Sequence, residues 1–263
     1  MATGDYGEIF FQIKKDMESV CFDTCIWISK IFREENHSNP VRKRLGQISK
    51  QIFENYPQKG EEYLIIIDTI FWEFKQIISN KVRDYGNKIV TSLNKANNRI
   101  ISGEKRFDVV REYRNQIIED SSINLLYNHF EAKGMGFDRL LDENIRINFL
   151  KQLTKIPLKF NRLFQKTTRG LLKRSVKERV VMWTTLNKKS FNEFQKCSPQ
   201  IGRFDRFHIL GCILLCIIEN RNIKFITYDE LMLKQSNNYE KFFSNNRLAF
   251  KKQIEKILEV EAV

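Results

Sequence analysis

The feature that most constrains the fold is an apolar segment late in the chain. Residues 203–219 read RFDRFHILGCILLCIIE, and the run from Ile209 to Ile218 contains no charged residue. A helix that is apolar on all sides is usually buried, and this run is too short to cross a bilayer as a helix. The sequence therefore predicts a helix over 203–219 at the centre of the core, with no membrane partner.

Helical spacing of apolar residues, or an apolar run that is long for a strand, extends through most of the remaining sequence. It is seen in segments 7–34, 41–55, 61–80, 81–101, 105–132, 138–153 and 239–260. Only four prolines and eleven glycines are present, which disfavours a β-sandwich or a loop-rich chain. We therefore predict an all-α fold, an irregular multi-helix bundle. Residues 224–228 read as a short strand or an extended connection, so a short strand is expected near 223–228.

The domain organisation is predicted from length and composition. A length of 263 residues fits one large domain or two small ones, and the chain has no linker rich in Pro, Gly or Ser. We predict a single helical unit over 1–263. A subdomain inserted over about 58–150 is the alternative.

Positive charge is concentrated in residues 151–189. This segment has twelve Lys and Arg against one acid, Glu178, a net +11 of the chain's total +13. Six of these residues recur at intervals of three or four, which places them on one helix face: Lys159, Arg162, Lys166, Arg169, Lys173 and Lys177. Like charges at this spacing repel one another, and a phosphate backbone would remove that repulsion. These six residues and Arg174 are therefore predicted to bind RNA.

A second basic cluster lies nearer the start of the chain. Arg42, Lys43 and Arg44 follow Asn36 and His37. Short polar side chains beside arginines suit contacts to phosphates or 2′-hydroxyl groups. All five are predicted to bind RNA, although helix capping is an equally good explanation for Asn36.

No catalytic or metal-binding motif stands out. Cys21 with Cys25, and Cys212 with Cys216, lie among apolar residues within predicted helices, where buried thiols act as small hydrophobes. His208 is expected to be structural. Asp68 and Glu73 could be imagined as a nuclease pair holding Mg²⁺, but within a helix over 61–80 they would not share a face. We predict a non-catalytic protein without a metal or another cofactor.

The cysteine content and the first residues indicate the compartment. An odd number of cysteines, five, does not suggest a disulfide framework. Asp5, Glu8, Asp16 and Glu18 precede Cys21, so the start does not resemble a signal peptide. The expected location is intracellular. The nucleus, in particular the nucleolus, fits the basic charge, and the cytoplasm is the alternative.

Two segments resemble a known family. These are Asn36–Lys50, NHSNPVRKRLGQISK, and Ile201–Cys212, IGRFDRFHILGC, with the apolar run to Ile218 and then Arg221. Both are similar to the RNase MRP-specific protein subunit family, which includes the nucleolus and neural progenitor protein of animals. The resemblance implies a non-catalytic subunit of a ribonucleoprotein that processes ribosomal RNA precursors, where RNA and Mg²⁺ perform the cleavage. It adds Arg203 and Arg206 to the predicted RNA contacts.

The sequence thus predicts an RNA-binding scaffold subunit of a ribonucleoprotein, of the RNase MRP type. Its partners would be a structured non-coding RNA and other protein subunits. One alternative is a helical nucleoprotein that coats RNA or DNA without sequence preference. The other is a protein-interaction adaptor whose basic face meets an acidic partner.

Overall fold

The computed structural model describes residues 7–12, 18–32, 34, 40–57, 62–120, 124–172, 178–181, 194–196, 199–219, 222–246 and 248. The chain divides into two compact units. The first unit comprises residues 1–74 and 165–263, and the second comprises residues 75–164. Both boundaries between the units fall within helices.

The first unit is built on a five-stranded sheet. Its strands are β1 (Gly7–Phe11), β2 (Glu18–Phe22), β3 (Glu62–Ile67), β4 (Glu178–Val181) and β5 (Asn222–Thr227). Their spatial order is β1-β5-β2-β3-β4. Strands β5, β2, β3 and β4 are parallel, and β1 at the edge is antiparallel to β5.

The central strands are buried on both faces, as expected for parallel strands covered by helices. Val20, Cys21 and Phe22 of β2 are fully buried, and every residue of β5 is buried. β3 carries the run Leu64–Ile67, whose side chains are all at most 5% exposed. A continuous apolar run of this kind suits a central strand and a buried helix equally well.

The helices of the chain follow in order. They are α1 (Thr24–Ile31), α2 (Pro40–Asn55), α3 (Asp68–Ile101), α4 (Arg106–Glu119), α5 (Asn124–Glu131), α6 (Glu143–Leu153), α7 (Ile156–Leu172), α8 (Arg203–Glu219), α9 (Glu230–Lys234) and α10 (236–246). A 3-10 turn over Arg139–Leu141 precedes α6. No described helix is both long and apolar enough to span a bilayer.

Helix α8 packs closely on the sheet because of a glycine. A Cβ atom built on Gly211 would lie 2.9 Å from Cδ1 of Ile67, the last residue of β3. Any larger residue would force α8 or Ile67 to move. This close approach brings the first turns of α8 to the carboxyl ends of the parallel strands.

The second unit has a core of its own. Tyr85 of α3, Phe130 of α5 and Phe149 of α6 form an aromatic cluster with ring centroids 4.7–5.9 Å apart. Ion pairs connect its surface, including Arg99 with Glu104 and Glu112. Three further helices of this unit, α4, α5 and α6, connect α3 to α7.

The prediction of a mostly helical chain is confirmed, and β5 confirms the expected strand near 223–228. The expected helix over 7–34 is wrong, because this segment contains β1, β2 and α1. The expected helix over 61–80 is also wrong at its start, where β3 precedes α3. The helix predicted at the centre of the core is α8, but Leu214 within it is only half-buried.

Candidate functional site

Two aspartates follow neighbouring parallel strands on the same edge of the sheet. Asp23 directly follows β2, and Asp229 comes two residues after the end of β5. The chain leaves β2 toward β3 on one side, whereas β5 lies on the other side of β2. The strand order therefore reverses between β2 and β5. In open parallel sheets, ligands bind outside the carboxyl ends of strands at such a switch point.

Asp23 is held in a fixed orientation by donors on both of its oxygens. Oδ1 accepts from the backbone N–H of Thr24 at 2.7 Å, which caps α1. Oδ2 accepts from Cys25 Sγ and from Thr227 Oγ1, each at 2.8 Å. Burial opposes ionisation of Asp23, but His208 and these donors outweigh it, so its pKa is lowered. The carboxylate is therefore charged although it is only 4% exposed.

His208 lies between two carboxylates. It is fully buried on α8, with Nδ1 3.5 Å from Asp23 Oδ1 and Nε2 3.6 Å from Glu73 Oε2. Neither ring nitrogen makes a hydrogen bond within the described residues. Burial lowers the pKa of His208, but Asp23, Glu73 and Asp205 outweigh it, and the net pKa is raised. The imidazole is thus a buried polar group that points into an acidic cluster.

Two further carboxylates complete this cluster. Asp205 lies one turn before His208 on α8 and is half-buried, as is Glu73 on α3. Burial raises the pKa of both residues, and the charge of Asp23 adds to the effect. Asp229 raises the pKa of Asp205 as well. The four carboxylates therefore repel one another, and a positive charge among them would be stabilised.

Helix capping explains part of this arrangement. Asp23 caps α1, Asp229 caps α9 through the N–H groups of Leu231 and Met232, and Asp205 accepts from the N–H of Gly202 at 3.1 Å. Capping satisfies each helix end by itself, but it does not require the three carboxylates to converge. The convergence, with Glu73 and His208 added, needs another cause.

The geometry suits a divalent cation. Asp23, Asp205 and His208 can each offer one ligand atom, and these atoms lie within 4.8 Å of one another. Glu73 and Asp229 are the adjacent candidates for further ligands or for contacts to bound water. Carboxylate oxygens are the ligands preferred by Mg²⁺ and Mn²⁺, and an imidazole shifts the preference toward Mn²⁺ or Zn²⁺. The charged Asp23 needs no proton release to bind such an ion.

The predicted basic face is partly described. Lys159, Arg162, Lys166 and Arg169 are all exposed on α7, whose helical spacing puts them on one side. Lys173, Arg174 and Lys177 lie outside the described residues, as do Asn36 and His37. We use the term basic face of α7 for the four described residues.

The other predicted RNA contacts differ in their surroundings. Lys43 and Arg44 are exposed on α2, whereas Arg42 is half-buried and pairs with the buried Glu34 at 2.9 Å. Arg203 is exposed at the start of α8 and lies over the ring of Phe207. Arg206 is half-buried and donates to the carbonyl oxygen of Pro199 at 3.2 Å. Arg42 and Arg206 therefore have structural contacts inside the protein.

Sequence reasoning gave no functional role to Asp23, Asp205 or Asp229, and it assigned His208 a structural one. The signal that was available is an aspartate just after an apolar run, in CFD and again in FITYD. That pattern marks the carboxyl end of a parallel strand, but only once both runs are read as strands. Glu73 was considered with Asp68 and rejected because both were placed in one helix. In the structure Asp68 instead begins α3 directly after β3.

Comparisons with known proteins identify no relative: no family model, no curated protein and no solved structure matches this chain.

Proposed function

We propose that this chain is a divalent-cation-dependent hydrolase that cleaves phosphodiester bonds in RNA. The observation that carries the proposal is the convergence of Asp23, Glu73 and Asp205 around the buried His208, at the switch point of a parallel sheet. A cation bound there would polarise a phosphoryl oxygen and provide a metal-bound water as nucleophile. The unpartnered nitrogens of His208 distinguish this cluster from a set of helix caps.

The choice of a nucleic acid as substrate is supported by charge. The four residues of the basic face of α7 are exposed and lie along one helix. Such a face attracts a phosphate backbone without reading its sequence. A hydrolase with a carboxylate cluster and an excess of surface lysine and arginine is suited to a polyanionic substrate.

The test is a cleavage assay on a labelled RNA with Mg²⁺ or Mn²⁺, and with chelator as the metal-free condition. Wild type should cleave only with the cation. Asp23→Asn and Asp205→Asn should each lose the activity and the calorimetric signal of Mn²⁺ binding, because each removes a ligand charge. Glu240→Gln, which changes an exposed carboxylate on α10, is the matched control and should behave as wild type. Absence of both Mn²⁺ binding and cleavage in wild type would refute the proposal.

A second proposal is the non-catalytic RNA-binding subunit of a ribonucleoprotein, of the RNase MRP type and nucleolar, that the sequence resemblance implies. The specific observation in its favour is the same exposed basic face of α7. On this proposal Asp23→Asn would leave RNA binding and assembly unchanged, and no cation would be needed. Co-purified RNA separates the alternatives: one structured RNA favours the ribonucleoprotein subunit, mixed RNA favours a nucleoprotein coat, and none favours the protein adaptor.

A further inference from the structure

The second unit has an open groove beside an exposed aromatic side chain. The groove encloses about 610 Å³ and lies between the first turns of α4 and the segment that leads into α6. This volume is in the range of sites that hold a small molecule or a nucleotide. The groove residues used below are Arg106, Phe107, Val110, Arg139, Asp142 and Ile145.

Phe107 is the most unusual of these residues. Its side chain is 73% exposed at the start of α4, whereas the aromatic rings of Tyr113 and Phe137 are buried in the same unit. The guanidinium carbon of Arg111 lies 5.6 Å from the centre of its ring. A solvent-facing ring with a cation beside it is the platform on which unpaired bases stack.

Two arginines are available to an anionic ligand in the groove. Arg106 and Arg139 are exposed, and within the described part of the chain neither has an ion-pair partner. Asp142 also lines the groove, but its Oδ1 caps α6 by accepting from the N–H of Ile145 at 3.1 Å. Other arginines of this unit are engaged, such as Arg99 with two glutamates and Arg114 with Glu131.

The charge of the whole unit points to the same kind of ligand. Residues 75–164 contain 17 Lys and Arg against 10 Asp and Glu, a net +7 of the chain's +13. The unit therefore attracts polyanions. Because the platform is aromatic and the cations are arginines, the groove fits a nucleotide better than an inorganic anion or a lipid headgroup.

We propose that the groove of the second unit binds an unpaired nucleotide of single-stranded RNA, with the base stacked on Phe107 and the flanking phosphates contacted by Arg106 and Arg139. This deepens the proposed function, on which it rests, by naming a single-stranded substrate and a binding subsite. A double helix would not fit, because its bases are stacked on one another and unavailable to Phe107.

The experiment measures binding of a fluorescein-labelled oligoadenylate by anisotropy, with chelator present to prevent cleavage. Phe107→Ala should weaken binding about 5- to 150-fold, the range for loss of one stacked base. Phe107→Trp should restore it. Arg106→Gln with Arg139→Gln should weaken binding and flatten the salt dependence by about 1.4, or roughly 0.7 for each lost phosphate contact on a single strand. An RNA duplex should be insensitive to Phe107→Ala.

Matched controls lie in the same unit. Ile101→Ala removes an 83% exposed apolar side chain outside the groove, and Arg83→Gln with Lys95→Gln removes two exposed charges from α3. Oligoadenylate affinity that is unchanged in Phe107→Ala, or reduced equally in Ile101→Ala, would overturn the proposal. So would a groove variant that loses only a protein partner. If wild type binds through Phe107 but never cleaves RNA, the proposed hydrolase fails and this subsite stands. If it cleaves RNA normally with Phe107→Ala, the reverse holds.

Discussion

His208 Nε2 lies 3.6 Å from Glu73 Oε2, and on the other side of the ring Nδ1 lies 3.5 Å from an oxygen of Asp23. The fully buried imidazole thus joins α8 to the first turns of α3 and to the end of β2. A neutral ring can donate a proton toward only one of these carboxylates, whereas an imidazolium can face both. The relationship explains why the pKa of His208 is raised despite burial.

The first prediction concerns the pH dependence of stability. Because the folded-state pKa of His208 is raised above its ordinary value of 6.5, its contribution is fully present below pH 6.5 and is lost as the pH rises through the folded pKa. Urea unfolding of wild type without divalent cations should show this loss, and His208→Gln should lack it. Identical pH profiles for the two proteins would contradict the role given to His208.

His129 should titrate in the opposite sense. Burial, with the charges of Lys159 and Lys133, lowers the pKa of His129 to about 4. The neutral form is favoured in the folded state, so stability is lost as the pH falls from about 6.5 toward 4. Lys159→Gln should raise the pKa of His129 in an NMR titration, because it removes a neighbouring positive charge. Lys95→Gln, on the exposed side of α3, should leave the titration unchanged.

Arg42 should matter for stability more than for RNA binding. Its guanidinium pairs with Glu34, a buried carboxylate that also accepts from Ser29 at 2.6 Å. Arg42→Gln should therefore lower the free energy of unfolding by about 1–3 kcal/mol, since it leaves a buried acceptor without its charged donor. The adjacent Lys43→Gln is exposed and should change stability little. Equal melting temperatures for both variants would count against the ion pair.

The core position of α8 can be tested at Leu210. This side chain is fully buried, so Leu210→Ala should cost about 2–5 kcal/mol through lost transfer energy and an unfilled cavity. Leu231→Ala, in which the native side chain is 40% exposed on α9, should cost much less. Chemical denaturation of both variants measures the difference. A stable Leu210→Ala protein would mean that α8 is not the central helix of the core.

The basic face of α7 predicts a salt-dependent affinity. Lys166→Gln with Arg169→Gln should weaken binding to every RNA sequence tested and reduce the salt slope by about 1.4 for a single strand. Stability should hardly change, because both residues are exposed. Lys196→Gln with Lys241→Gln removes the same charge from other exposed positions and serves as control. Equal losses in both double variants would reduce the effect to net charge alone.

Local sequence was sufficient for several elements. The helix predicted over 41–55 is α2, Pro40–Asn55, because Pro40 suits a first helical turn and the apolar spacing is regular. The burial of Ile209 and Leu210 followed from an apolar run without charges. The exposure of Lys166 and Arg169 followed from the amphipathic spacing of α7, since lysine and arginine rarely lose their hydration.

Only the tertiary structure decided that the first unit is built on a sheet. The runs that became β2 and β3 are apolar on both faces, so their periodicity does not separate a strand from a buried helix. Pairing settles the matter, since β2 lies between β3 and β5, a strand from the far end of the sequence. The candidate site depends on the same long-range pairing. Asp23, Glu73 and Asp205 belong to distant segments, and they meet because parallel strands bring their carboxyl ends, and Gly211 brings α8, to one edge.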